Sequence, residues 1–284
     1  MSSVSIAVVG SVNLDLVARI ERFPFPGETL TDAVVSRHPG GKGANQALAA
    51  QRLGAHVSLA ACVGDDPTAD EALAPLAAAG VDLSHCRRLQ DINSGLALIL
   101  VSAEGENQIV VAPGANAEFS ADRLALPAAD AVIAQLEIPV ETVLSLAQNS
   151  SGLFCLNAAP AKPVPRALLD RTDLLIVNEV EARALGADLD DYAGWLAVTY
   201  GAQGAVLRRG GHEVATAQPP AVEVVDTIGA GDAFTAALVV GMVSGLTPQR
   251  ALQRACLVGA LTTTRAGAQS SPLLAEVLQA EGGG

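Results

Sequence analysis

Aromatic side chains are scarce in this 284-residue sequence, which contains five Phe, two Tyr and one Trp. Half of the residues are nevertheless apolar, so the core must be built from Ala, Val, Leu and Ile. This composition excludes an intrinsically disordered chain and favours buried parallel strands covered by alanine-rich helices. The length permits one large domain or two small ones.

Basic residues are also few, because 17 Lys and Arg stand against 30 Asp and Glu, giving a formal net charge of −13. This charge excludes a nucleic-acid binder, which needs a basic surface to neutralise phosphates. The four cysteines form no CxxC pair, and the four histidines lack zinc-ligand spacing, so we expect reduced thiols. With no apolar run of about 18 residues and no basic region before the first apolar segment, we expect a cytoplasmic protein without membrane spans.

Strand-like and helix-like segments alternate along most of the chain. Strands are predicted at 4–10, 57–62, 96–101, 108–111, 131–135, 154–157, 174–177, 205–208 and 222–225, and helices at 44–53, 68–79, 139–147 and 233–242, with another beginning after Thr247. This alternation predicts an α/β fold with a mostly parallel sheet flanked by helices. Residues 12–39 and the hairpin around 96–111 interrupt this alternation. These two segments could form a small β-sheet lid over a site.

The segment from Val224 to Asp232 is the most informative part of the sequence. A predicted strand runs into a turn containing Gly229 and Gly231, and an apolar helix is expected to start at or just after Asp232. The N–H groups of a helix start form an anion site. A carboxylate beside that site can take a proton from a hydroxyl that attacks a phosphoryl group. The alternative is that Asp232 caps its helix.

Two further clusters contain polar groups suited to a sugar. The segment Gly40–Gln46, which includes Lys42 and Asn45, forms either a polar pocket wall or a loop with a solvated lysine, and it lacks Walker A spacing. Asn13 and Asp15 face the same side of an extended chain and can bind neighbouring hydroxyls, or they form an Asx turn.

Carboxylates and an amide also follow two other predicted strands. Glu137 lies at the carboxyl end of the strand at 131–135, where ligands bind in open α/β sheets. Asn178 and Glu181 form an N-x-x-E pair that can order water and Mg²⁺ near a phosphate. Asn178 can equally be a helix cap.

Through the motifs that contain these residues, the sequence resembles the ribokinase-like (PfkB) family of carbohydrate kinases. Within that family its motifs are most similar to those of the ribokinases. The resemblance covers nearly the whole chain as a single domain, residues 1–284. Its most specific motifs are the GGKGAN segment at 40–45 and the DTIGAGD segment at 226–232. The family fold is a three-layer α/β sandwich with a small β lid, here roughly 12–39 and 92–111.

The resemblance implies a role for each cluster. Asp232 is implied to be the catalytic base, and Gly229, Ala230 and Gly231 to form the hole for the γ-phosphate. The sugar ligands are implied to be Asn13, Asp15, Gly41, Lys42, Asn45 and Glu137. The residues implied to line the ATP site are Asn178, Thr199, Gly201, Gly204, Gly231 and Cys256. Glu181 is implied to position Mg²⁺, and a monovalent cation such as K⁺ is implied to bind at Asp226, Ile228, Thr262, Arg265, Gly267 and Ser271.

The resemblance therefore implies an ATP-dependent kinase for the 5-hydroxyl of D-ribose that forms a homodimer through the lid. The alternatives are another acceptor (deoxyribose, fructose or adenosine), or a sugar-binding homologue with impaired catalysis. An oxidoreductase is disfavoured because no dinucleotide fingerprint follows a strand. Two departures stand out: residues 182–199 lack a helix that is usual in the family, which would expose an apolar strip of the sheet, and Cys256 replaces an Asn or His beside the adenine.

Overall fold

The computed structural model describes residues 4–121 and 126–282 and forms two sheets surrounded by helices. The strands are β1 (Ser5–Val9), β2 (Asn13–Arg19), β3 (Val34–Gly40), β4 (His56–Gly64), β5 (Asp82–Leu89), β6 (Gly95–Val101), β7 (Asn107–Ala112), β8 (Ala131–Gln135), β9 (Leu153–Asn157), β10 (Leu174–Asn178), β11 (Trp195–Thr199), β12 (Ala205–Arg209) and β13 (His212–Ala217). The helices are α1 (Lys42–Arg52), α2 (Pro67–Ala78), α3 (Val140–Asn149), α4 (Arg166–Leu169), α5 (Glu179–Leu185), α6 (Ala230–Val243), α7 (Pro248–Thr262) and α8 (Leu274–Gly282). Short 3₁₀ turns occupy Gly114–Glu118, Gly186–Leu189 and Gly201–Gln203.

The large sheet has nine strands in the order β13-β12-β11-β10-β9-β8-β1-β4-β5. The pairs from β5 through β11 are parallel, and β12 and β13 add antiparallel at one edge. Two apolar clusters cover its two faces: Ile6 and Val8 of β1 belong to one, and Ala7 and Val9 to the other. The predicted fold class, a mostly parallel sheet between helices, is confirmed.

The small sheet has four strands in the order β3-β2-β6-β7. β2 pairs antiparallel with β3 and parallel with β6, while β6 and β7 form the antiparallel hairpin expected from the sequence. The strands come from the two segments that interrupt the α/β alternation. β2 starts four residues after β1 ends, so the small sheet grows directly from the carboxyl edge of the large one.

Four elements differ from the sequence-based expectation. The strand predicted at 222–225 is absent: Val224 and Val225 are exposed, and the N–H groups of Val225 and Asp226 donate instead to Thr263 O at 2.8 and 3.1 Å. The edge strands β5 and β13 were not predicted, because they contain polar residues and lack the continuous apolar run that is typical of a buried strand. Helix α6 starts at Ala230 rather than at or after Asp232.

The shortened segment between α5 and β11 does not expose the sheet. It contains only the predicted single helical turn, Gly186–Leu189, among the described residues. Leu196 and Val198 are nevertheless buried, and Tyr192 packs in the same apolar cluster. The Tyr192 hydroxyl donates to Thr172 O at 2.6 Å. The expectation of an exposed apolar strip is therefore wrong, because this ring and the neighbouring turn cover the strand.

Across residues 4–121 and 126–282, none of the helices combines the length and the apolar character needed to cross a bilayer.

Candidate active site

The starts of α1 and α6 meet above the carboxyl ends of the central strands. Gly41, the N-cap of α1, has a φ of 90°, and a side chain there would collide with the backbone of Ser11 and Asn13. This close approach lets Ala44 N donate to Ser11 O at 3.0 Å. The loop after β1 and the glycine-rich start of α1 therefore form one wall of the site.

Asp232 lies in the first turn of α6, whose N-cap is Gly229 in the left-handed conformation with φ 80°. Asp232 is therefore not the cap of its helix. Its carboxylate accepts two hydrogen bonds, both of 2.9 Å. Asn45 Nδ2 donates to Oδ2, and Gln46 Nε2 donates to Oδ1. The first N–H groups of a helix have no carbonyl partner within it, so α6 presents an anion site beside a buried carboxylate.

Asn13 and Asp15 share one face of β2 and are both buried. Asn13 Oδ1 accepts from Asn116 Nδ2 at 2.8 Å, which fixes the amide. Burial, reinforced by the negative charges of Glu137 and Asp232, raises the pKa of Asp15 to about 7. Asp15 is thus an acceptor whose charge changes near neutral pH.

Glu137 ties the loop after β1 to the start of α1. Its Oε2 accepts from Ser11 Oγ at 2.5 Å and from the backbone N–H of Lys42 at 3.1 Å. Burial lowers the pKa of Lys42, but four carboxylates more than offset this and raise it above its usual value. In decreasing order of influence they are Asp232, Glu137, Glu181 and Asp15. The site therefore holds a charged lysine among four acids.

Asn178 and Glu181 form a reciprocal capping box at the start of α5. Asn178 Oδ1 accepts from the N–H groups of Val180 and Glu181 at 2.9 Å, and Glu181 Oε2 accepts from Asn178 N at 2.8 Å. The helix-cap interpretation of Asn178 is therefore correct. Burial raises the pKa of Glu181, although the Asn178 N–H opposes this effect.

A cavity of about 130 Å³ joins the two helix starts to this capping box. Its lining residues are Lys42, Asn157, Ala159, Ile176, Val177, Asn178, Glu181, Thr199, Gly229, Gly231 and Asp232. The structure thus brings together residues predicted separately for catalysis, sugar binding and ATP binding. A larger and more open cleft of about 430 Å³ lies near Arg19 and Val101 at the far end of the small sheet, away from Asp232.

The other residues predicted for ATP binding, Gly201, Gly204 and Cys256, lie near the end of β13. Gly201 and Gly204 bound the short turn after β11, and both have positive φ. Gly204 packs against Ala217 O, and Cys256 Sγ lies 3.7 Å from the same oxygen. Cys256 is buried, and burial raises the pKa of its thiol to about 11, so this sulfur is a neutral thiol.

The residues predicted for a monovalent cation lie in the loop before α6 and in the end of α7 with the loop that follows it, and Asp226 joins these two segments. Its Oδ1 accepts from Ile228 N at 3.0 Å and its Oδ2 from Gly267 N at 2.9 Å. Thr262 O accepts from Ser270 Oγ at 3.0 Å. The guanidinium of Arg265 pairs with Glu276, and its backbone N–H donates to Thr262 O at 3.5 Å.

Ser271 differs from the other members of this set. Its O and Oγ accept from Arg52 Nη1 at 2.9 and 3.3 Å, and Gln269 O accepts from the same nitrogen at 2.7 Å. A cation bound to Ser271 would share these oxygens with a guanidinium.

Four buried amides in the site were not predicted to have a role. They are Gln46, Asn116, Gln135 and Asn157. Gln46 belongs to the glycine-rich helix start, and Gln135 and Asn157 end the apolar strands β8 and β9, so the available signal for these three was a polar residue at the edge of an apolar element. Asn116 lies in a short 3₁₀ turn and carries no such signal.

The comparisons with known proteins show the family of the chain. The model of the pfkB family of carbohydrate kinases matches residues 4–275. The chain belongs to this family. It is 39% identical over 280 residues to the ribokinase of Bacillus subtilis, covering 93% of this chain and 94% of the relative.

Solved structures of the same family have the same fold. The ribokinase of Thermotoga maritima superposes with a TM-score of 0.89 at 31% identity, covering 97% of this chain and 98% of that one. The ribokinase of Arabidopsis thaliana, solved as a complex with ribose and ATP, has a TM-score of 0.86 at 28% identity and covers 98% of both chains. Membership of this family makes a sugar hydroxyl and a nucleoside triphosphate the reactants to consider at this site.

Proposed function

We propose that the protein is an ATP-dependent kinase that phosphorylates the 5-hydroxyl of D-ribose, with Asp232 as the general base. The observation that carries this proposal is the position of Asp232. Its carboxylate lies in the first turn of α6, next to an anion-binding helix start, and accepts a hydrogen bond from the sugar-ligand candidate Asn45. A base and an anion site in one cavity suit phosphoryl transfer to a hydroxyl.

The reaction follows from these positions. Asp232 takes the proton of the hydroxyl as its oxygen attacks the γ-phosphorus, and the bond from that phosphorus to ADP breaks. The N–H groups around Gly229, Ala230 and Gly231 stabilise the charge on the transferred group. Asn13 and Asp15 hold the neighbouring hydroxyls from the small sheet, which acts as a lid and excludes water.

The residues present fit magnesium and potassium to different degrees. Within the described residues no cluster of three His, Cys, Asp or Glu forms a metal site, so Mg²⁺ would be held by phosphate oxygens and water, with Glu181 and Asp232 nearby. Asp226 holds the N–H groups of Ile228 and Gly267. The carbonyl oxygens of these two residues would therefore be ligands for K⁺, and the bound ion would supply positive charge next to the anion hole.

The first experiment is ADP release with Mg-ATP and D-ribose, with and without potassium. Deoxyribose, fructose and adenosine serve as alternative acceptors. We expect ribose to give the highest kcat/KM and potassium to increase the rate. A higher kcat/KM with another acceptor would overturn ribose, and binding of ribose without ADP release would favour the catalytically impaired alternative.

Asp232→Asn tests the base. The amide cannot accept the proton, so we expect kcat to fall by about 10³-fold or more while the calorimetric Kd for ribose changes less than about fivefold. Since Asn keeps the shape of Asp, a folded variant with unchanged kcat would contradict the assignment.

We also propose that the protein forms a homodimer through the lid and acts in the cytoplasm. The dimer is supported by exposed apolar residues on the lid, including Val34, Ile109 and Val111. The location is supported by the four cysteines, all of which are free thiols.

A further inference from the structure

A line of buried amides leads from the centre of the large sheet to Asp232. Gln135 Nε2 donates to Gln46 Oε1 at 2.6 Å. Gln46 Nε2 donates to Asp232 Oδ1 at 2.9 Å and to Asn157 Oδ1 at 3.0 Å. Gln46 and Gln135 are fully buried, so this line lies behind the cavity and away from solvent.

The direction of these hydrogen bonds is set by charge. An ionised Asp232 only accepts, so Gln46 must turn its NH₂ group towards it. The Gln46 carbonyl oxygen then needs a donor, and Gln135 can serve only by presenting its own NH₂ group. Gln135 Oε1 consequently has no hydrogen-bond partner within the described part of the chain. An unpartnered buried oxygen destabilises the fold, and an apolar side chain would avoid that cost.

The two oxygens of Asp232 are held in different ways. Oδ1 faces Gln46, whose amide is fixed by three hydrogen bonds. Oδ2 faces Asn45, whose Oδ1 has no partner among the described residues and whose side chain is a candidate sugar ligand. The bond from Asn45 can therefore be exchanged for a bond to substrate, whereas the bond from Gln46 cannot.

We propose that Gln46, oriented by Gln135, is a positioning residue that holds Asp232 by Oδ1 and thereby aims Oδ2 at the sugar hydroxyl. This inference rests on the proposed kinase function. When the hydroxyl O–H bond breaks, its proton goes to Oδ2 of Asp232. Its oxygen bonds to the γ-phosphorus, and the bond from that phosphorus to the bridging oxygen breaks to leave ADP. Gln46 is fully buried and does not line the cavity, so we expect it to act through the geometry of the base.

The test is a double-mutant cycle of Gln46→Met and Gln135→Met, because Met keeps the length of Gln and removes its polar atoms. For Gln46→Met we expect kcat to fall about 100-fold while KM for ribose stays within about threefold. For Gln135→Met we expect a smaller fall of about 3–10-fold, since Gln46 keeps two of its three hydrogen bonds and is held less firmly. The double variant should be no slower than Gln46→Met, because Gln135 acts through Gln46. Independent, multiplying effects or an unchanged kcat would overturn the proposal.

Gln51→Met is the matched control, because Gln51 lies on the same helix and accepts from Val57 N at 3.1 Å far from Asp232. It should lower thermal stability and leave kcat unchanged. If Gln46→Met does not fold, Gln135→Met and NMR hydrogen exchange of the Gln46 side-chain amide carry the test. This exchange should be slow in the wild type and faster in Gln135→Met. Equal exchange rates would contradict the proposal that Gln135 orients Gln46.

The activity of the wild type separates the two proposals. Wild-type protein that phosphorylates ribose while Gln46→Met keeps its full kcat refutes the positioning role alone. Wild-type protein that prefers another acceptor refutes ribose, and the cycle is then run with that acceptor. If no acceptor is phosphorylated, the exchange rates of the Gln46 amide still decide whether Gln135 orients it.

Discussion

At the scale of single residues, Asp15 connects sugar binding to pH. Burial, with Glu137 and Asp232 adding to it, raises the pKa of this carboxyl to about 7. Only the ionised form can accept a hydroxyl hydrogen bond at each of its two oxygens without a proton on one of them, so we expect the calorimetric Kd for ribose to rise about tenfold per pH unit below 7 and to level off above it.

Two variants separate Asp15 from its neighbours. Asp15→Asn should bind ribose weakly at pH 8 and show little change of Kd between pH 6 and pH 8. His38 lies opposite Asp15 in the β2–β3 register, so His38→Gln should keep the pH dependence of the wild type. A flat wild-type profile, or a profile lost in His38→Gln, would contradict the role of Asp15.

The same residue predicts a pH effect on stability. The folded state binds the Asp15 proton more tightly than the unfolded chain, whose pKa is near 3.8, so this group makes the protein less stable as pH rises from about 4 to about 7. The penalty above pH 7 is at most about 4 kcal/mol. Asp15→Asn should therefore raise the free energy of unfolding at pH 8, with little effect at pH 4, as measured by urea denaturation. A loss of stability at pH 8 would contradict this ionisation penalty.

At the scale of secondary-structure elements, apolar periodicity was informative where strands are buried and uninformative at the edges. The runs at 131–135, 154–157 and 174–177 lie in the middle of the large sheet, so their two buried faces produce continuous apolar sequence. β5 at the edge of the sheet is mostly polar, with Asp, Ser, His and two Arg among its eight residues, so it has no apolar run. The run at 222–225 was misread because β13, which precedes it, already forms the edge of the sheet.

The candidate site was predictable to the extent that motifs mark it. Glycine turns and carboxylates at strand ends placed Asp232, Asp15 and Glu137 in one region. Their hydrogen-bond partners were not predictable from the sequence. The role of a buried amide such as Gln46 of α1 follows only from its contacts with Gln135 of β8 and Asn157 of β9, which the fold brings together.

The short connection before β11 gives a prediction at this scale. Tyr192 covers Leu196 and Val198, and its hydroxyl satisfies a buried carbonyl. We expect Tyr192→Phe to lower the free energy of unfolding by about 1 kcal/mol and Tyr192→Ala by about 3–5 kcal/mol, measured by chemical denaturation.

Tyr200→Phe is the control for this measurement. Tyr200 is the only other tyrosine, is partly exposed, and its hydroxyl makes no hydrogen bond to the described residues, so stability should change little. A Tyr192→Ala variant as stable as the wild type would show that the turn covers β11 without this ring.

At the scale of the whole molecule, the two faces of the small sheet differ. One face packs against α2, where Arg37 of β3 pairs with Glu71 at 2.6 Å. The other carries Asp15 and, one row further out, Val17, Ile99 and Ile109 in register across three strands. Val17 and Ile99 are buried, but Ile109 is 52% exposed. This apolar row extends beyond the site, which favours a second copy of the chain as its cover.

Substitution of adjacent residues on β7 tests this dimer. Ile109 lies on the face of Asp15, whereas Val110 pairs with Leu98 on the opposite face and is 65% exposed. We expect the wild type to sediment with twice the mass of one chain, Ile109→Asp to sediment as a monomer, and Val110→Asp to remain a dimer. Because Asp is introduced on the same exposed strand in both variants, general destabilisation would affect them alike. A monomeric wild type would refute the dimer, and a dimer disrupted only by Val110→Asp would place the interface on the other face.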